Sequence, residues 1–211
     1  YRFITGQAAP RSDIAAEAAL VLDGQITGLG LRSDDPASGN FTNNLPLAGA
    51  ELTVYATDAS SGERIGAAVH QRKVGTDGRW GPFQARPGVA YEFVVAAPGY
   101  ATTHIYRSGF PRSSQLVHLR PERIADADKD AKALVTLTRP RGYFDLERDK
   151  VSFDGQRPPG VPPTGAGVSS AKLKLAQAEP RTIAAEFNGE RLVGRVWPAA
   201  DNRVVVPELT H

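Results

Sequence analysis

The chain has 211 residues, 41% hydrophobic and 23% charged, with a formal net charge of +2. That balance belongs to a globular chain rather than a disordered one, and Arg residues interleaved with acids form no basic stripe, which argues against a nucleic-acid partner. Cysteine is absent, so disulfides and thiolate metal sites are excluded, and no apolar run approaches the length of a transmembrane helix.

Glycine (21) and proline (16) are frequent, and many turns between short extended runs predict an all-β fold. Methionine is absent even at position 1, which carries the expectation that a signal peptide was removed or that the chain is part of a longer protein. Residues 1–19 carry an apolar "YRFITG" and an Ala-rich stretch with Ser12 or Asp13 as N-cap, open to a short helix or an extended linker.

From Leu20 the texture becomes strand-like. "LVLDGQITGLGL" is extended with glycine interruptions, and "RSDDPASGNFTNN" is expected to be a polar loop. In "LPLAGAELTVYATD" a turn leads into a strand with Leu52, Val54 and Ala56 on one face and Glu51, Thr53 and Tyr55 on the other. Asp77-Gly78 marks a tight turn. "VAYEFVVAA" sets Tyr91, Phe93 and Val95 against Glu92, Val94 and Ala96. Trp80 and Phe83 are expected over the edge of a sandwich, with Tyr91 and Phe93 in its core. "ATTHIYRSGF" and "SQLVHLR" complete a set of strands spaced as in a β-sandwich of roughly 100 residues.

"PERIADADKDAK" reads as a charged connector with a short helical turn. A second β region follows. "AKLKLAQ" alternates Leu173 and Leu175 with Lys172 and Lys174, which predicts one solvated face. Asn188-Gly189 is a two-residue hairpin turn, and its register places Glu186 opposite Arg191 and Ala185 opposite Leu192. "NRVVVPEL" is a last strand, with Pro207 marking an edge or an end.

No catalytic constellation stands out. The G-x-S-x-G nucleophile pattern is missing, and "GVSSA" (167–171) lacks the final glycine and follows a Pro-rich loop. His70, His104, His118 and His211 form no metal-binding spacing. Asp126, Asp128 and Asp130 are spaced like the start of a calcium loop, without the following glycine or the distal glutamate, so a solvated acidic linker is expected. No phosphate loop or dinucleotide fingerprint occurs. No catalytic residue, metal or cofactor is therefore expected. Two aromatic and arginine clusters are candidates for contact with a ligand or another domain: His104, Tyr106, Arg107, Phe110 and Arg112, and then Tyr143 and Phe144.

"LPLAGAELTVYATDASSGERIG" followed by "VGTDGRWGPFQARPGVAYEFVVAAPGY" resembles prealbumin-like or carboxypeptidase-regulatory-like sandwiches. The order "YRFITG", sandwich, "HIYRSGFPRSSQLVHLR" and second β region resembles the C-terminal β region of secreted prokaryotic lipases and esterases. In those proteins an α/β-hydrolase domain comes first, so the Ser-Asp-His triad would lie upstream of Tyr1. The resemblance implies a linker or the end of the catalytic domain at 1–19, a prealbumin-like antiparallel sandwich at 20–122, a linker at 123–132 and a smaller sandwich or barrel-like region at 133–211. It implies a non-catalytic accessory role in a carboxylic-ester hydrolase, with the hydrolase domain and a lipid or ester as partners, outside the cell or in the periplasm. The alternative is an exported, stand-alone binding or adhesion module for carbohydrate or protein.

Overall fold

The computed structural model describes residues 17–31, 41–139, 142–165, 167–176, 179–197 and 203–206. The expectations for residues 1–16, including the N-terminal helix, lie outside them.

The described residues form an all-β fold. Its centre is a seven-stranded sheet in the order β11 (Ser170–Leu175), β9 (Ala133–Thr138), β14 (Arg203–Val206), β8 (Thr103–Arg107), β7 (Ala90–Ala96), β4 (Glu51–Thr57), β5 (His70–Lys73). Strands from both halves of the sequence thus share one sheet. The join is β14, which pairs parallel with β8 on one side and with β9 on the other. The other pairings in this sheet are antiparallel. Arg203–Val206 is therefore an interior strand, and Pro207, expected to mark an edge or an end, lies outside the described residues. The reason is chemical: Val204 and Val206 are fully buried, and a run of valines suits a strand with neighbours on both sides.

Each face of this sheet carries a different core. Alternation sends Leu52, Val54, Tyr91, Phe93, Val95 and Ile105 to one face. There they meet Leu20 and Leu22 of β1 (Leu20–Leu22), Phe83 of β6 (Phe83–Ala85), and Ile26, Val117 and Leu119. β1 and β6 pair with each other, as do β2 (Thr27–Leu31) and β3 (Phe41–Pro46). Phe41–Pro46 is thus a strand, where the sequence led us to expect loop; its pairing with β2 outweighs its weak local β preference. The opposite face sends Tyr106, Val135, Leu137, Ala171 and Val204 against Ile183, Ala185, Leu192 and Val196. These last four lie on β12 (Arg181–Phe187) and β13 (Glu190–Val196), which with β10 (Val151–Phe153) make a three-stranded sheet. The C-terminal region is thus an open layer on the central sheet, not a closed barrel.

Trp80 is a correction. It is fully buried rather than draped over an edge, and its indole Nε1–H donates to the Val117 carbonyl at 2.9 Å. The turn before it explains the burial. Gly78 adopts φ 69°, and Arg79 pairs with Asp23 at 2.6 Å, pinning the segment across β1 so that the ring points inward. Tyr91 and Phe93 enter the same core as expected, and Phe83, expected over the edge, is buried there too.

The Asn188-Gly189 hairpin has the expected register, with Glu186 opposite Arg191 and Ala185 opposite Leu192. Both turn residues have positive φ, 49° and 90°, as a type I′ turn requires. The acidic connector contains a single 3-10 turn, Asp126–Asp128. Asp128 is buried rather than solvated: its carboxylate takes Lys174 at 2.7 Å and lies 3.7 Å from Lys172. Leu173 and Leu175 pack on the core, so the lysine face of β11 is the outer one and is partly held by the connector's acids.

Candidate functional site

Two polar sites lie on opposite faces of the central sheet. The first is closed. Glu92 projects from β7 on the face away from Tyr91 and Phe93, and the C-terminal layer covers that face. Its side chain is 0% exposed. Arg64 reaches it from the segment after β4, placing Nε 2.6 Å from one carboxylate oxygen and Nη2 3.1 Å from the other. His104 of β8 lies 2.6 Å from the carboxylate through Nδ1. Burial pushes the Glu92 pKa up, but the hydrogen bonds from His104 and Arg64 outweigh it and hold the carboxyl below its ordinary value. An ionised carboxylate only accepts, so the imidazole donates Nδ1–H to it.

Aromatic rings wall this ion cluster. The Arg64 guanidinium sits 3.8 Å from the Tyr55 ring centre and 4.8 Å from that of Trp197. The Trp197 indole donates to the Tyr106 hydroxyl at 3.3 Å, and burial together with the Glu92 charge pushes the Tyr106 phenol pKa up. The turn at Asp58–Gly62 docks beside the cluster. Thr182 Oγ1 donates to the Ser61 carbonyl at 3.0 Å, and Arg195 pairs with Glu63 at 3.0 Å.

A carboxylate holding an imidazole is half of a hydrolase relay. Here the carboxylate is shared with Arg64, and the imidazole ring lies against Trp197 with centroids 6.0 Å apart. Among the described residues no hydrogen-bond partner of His104 is a nucleophilic hydroxyl. The arrangement is a clamp between the central sheet and the C-terminal layer.

The second site is open. On the face that carries the N-terminal core, the segment 118–122 runs alongside β8, β9 and β11, with Glu122 N–H donating to Thr103 Oγ1 at 2.9 Å. A cleft of about 250 Å³ lies between them, lined by Arg107, Arg120, Glu122, Thr136 and Lys172 among others. A second cleft of about 440 Å³ shares Arg120, Glu122, Ser170 and Lys172 with it and adds Tyr100, Arg123 and Ile124.

The aromatic and arginine candidates therefore part company. His104 and Tyr106 are buried in the clamp, and Phe144 is buried against Phe187. Arg107 lines the open cleft, on the opposite side of the sheet from its neighbour Tyr106. Phe110 is half-buried against the N-terminal core, while Arg112 and Tyr143 are exposed. Sequence reasoning missed Arg64, Glu92, Trp197, Thr136 and Lys172 as site residues. A glutamate on the second face of an alternating strand was the available signal. It pointed to solvent, because nothing local shows that another layer covers that face.

Comparison with known proteins gives the chain a family. The lipase C-terminal domain family model matches residues 18–124, the N-terminal core and its strands on the central sheet. Among curated proteins none matches. Of solved structures, the chain is similar to the shaft pilin SpaA from Lactobacillus rhamnosus GG at 11% identity, covering 92% of this chain and 99% of that one, with a TM-score of 0.31. It is also similar to a leucine-rich repeat protein from Bacteroides thetaiotaomicron at 9% identity, covering 92% of this chain and 26% of that one, with a TM-score of 0.27. With the family model matching half of its length, this chain belongs to the lipase C-terminal domain family.

Proposed function

We propose that the chain is the non-catalytic accessory region of a secreted or periplasmic lipase or esterase. In this reading it packs on an α/β-hydrolase domain of the same parent protein and helps that domain handle lipid or ester substrates. The observation that carries the reading is the family match over residues 18–124. The closed clamp agrees with it, since the one imidazole–carboxylate pair described is tied into structure. Arg107, Phe110, Arg112 and Tyr143 are the candidate contacts that remain at or near the surface, for the hydrolase domain or its substrate.

The test is hydrolysis of short- and long-chain esters by the parent protein, with and without this region. The reading expects long-chain hydrolysis to fall much further than short-chain hydrolysis when the region is removed. Unchanged rates on both, with the shortened protein folded, would reject it and favour a binding or adhesion module.

A further inference from the structure

We propose that the open cleft between β8, β9, β11 and the 118–122 segment is a binding site for an oxyanion, a phosphate or carboxylate group. Three cations from separate parts of the chain line it: Arg107 from β8, Arg120 from the flanking segment and Lys172 from β11. The one acid among its described lining residues is Glu122. The Lys172 ammonium lies at ion-pair distance from Glu122, 3.9 Å, and from Asp128, 3.7 Å, so it borders the cleft between two acids.

Thr136 supplies an independent observation. It sits on β9, paired across the ladder with Lys172, and lines the same cleft. It is 2% exposed, and its Oγ1 is buried with no hydrogen-bond partner among the described residues. A buried hydroxyl without a partner is unfavourable, and an anionic oxygen between it and the surrounding cations would accept a hydrogen bond from it. A cationic wall with an unsatisfied donor at its base fits an oxyanion better than a neutral ligand.

Two sources share this chemistry, a free ion and the headgroup of an amphiphile. The adjoining cleft of about 440 Å³, with Tyr100 and Ile124 in its lining, gives a headgroup room for its chain. The site does not depend on the accessory role proposed above, because binding of free phosphate would support it with no hydrolase present.

The test is calorimetric titration of the full chain at low ionic strength with inorganic phosphate and, separately, with octyl phosphate below its micellar concentration. Binding of at least one probe is expected. Arg120→Gln and Lys172→Gln, both at exposed positions, should each weaken it about 10-fold, the scale of one charge-assisted hydrogen bond. Thr136→Val should weaken it about 3-fold without lowering thermal stability, since it removes an unpaired hydroxyl at nearly constant volume. Lys73→Gln, on the far edge strand, should change nothing. Similar affinity for both probes would identify a free ion as the ligand; tighter binding of octyl phosphate, lost in Tyr100→Ala, would identify a headgroup. No binding of either probe at millimolar concentration, or binding that the three cleft substitutions leave unchanged, would overturn the proposal.

Discussion

Glu92 and His104 meet at 2.6 Å inside the molecule, on neighbouring strands of one sheet and beneath a layer contributed by the other half of the chain. The C-terminal half helps bury the pair through Trp197, whose ring lies against His104 and over Arg64. Its stability therefore reports on the docking of the C-terminal layer. Glu92→Ala leaves Arg64 and His104 facing an empty site, and removing one partner of a buried ion pair costs about 3–5 kcal/mol. Chemical denaturation should show a loss of that order. A loss within about 0.5 kcal/mol, the usual range of a surface substitution, would mean that the cluster is solvated.

Gly194 on β13 lies directly over Tyr106. A Cβ there would come within 2.9 Å of the Tyr106 ring and 3.2 Å of Val204. Gly194→Ala should destabilise the protein by about 1–3 kcal/mol through overpacking. A second substitution, Tyr106→Leu, should recover part of that loss if the clash is the cause. An additive double mutant would point elsewhere.

Asp149 should contribute to acid sensitivity. Its carboxylate accepts from Arg148, Arg139 and the Asn188 amide, with Arg148 the largest influence, and its pKa is lowered from 3.8 to about 2. A carboxyl with a depressed folded-state pKa stabilises the fold above its unfolded value and loses that contribution as pH falls through the folded one. Melting temperature should therefore drop on acidification from 3.8 toward about 2. Asp149→Asn should flatten this slope, and an unchanged slope would move the effect to other acids.

The shared sheet predicts shared unfolding. With β14 paired to β8 and β9 at once, residues 20–122 and 133–211 should melt in one transition monitored by Trp80 and by Trp197. Val204→Asp, which puts an unpaired charge between the two halves, should separate the signals or abolish folding of the C-terminal layer. Two well-resolved transitions in the unmodified chain would count against the join.

Local chemistry made part of this structure legible. The Asn188-Gly189 turn fixes its own register because both residues tolerate positive φ, and a two-residue loop leaves no freedom in which residues face each other. The alternation in β4, β7 and β11 likewise shows which side chains share a face. What covers each face could not be read this way. Tyr55, Glu92 and His104 lie on a face that is ordinary until the C-terminal layer packs on it, and Thr136 is buried on the other face, beneath a cleft.

The β class, the hairpin turns and the two-sidedness of the strands thus follow from the order of amino acids alone, because each depends on residues a few positions apart. Long-range packing decided that Arg203–Val206 joins β8 to β9, that Glu92 is enclosed while Lys172 borders a cleft, and that Trp80 is central. Each of these depends on pairing or packing between segments tens of residues apart, which no local pattern encodes.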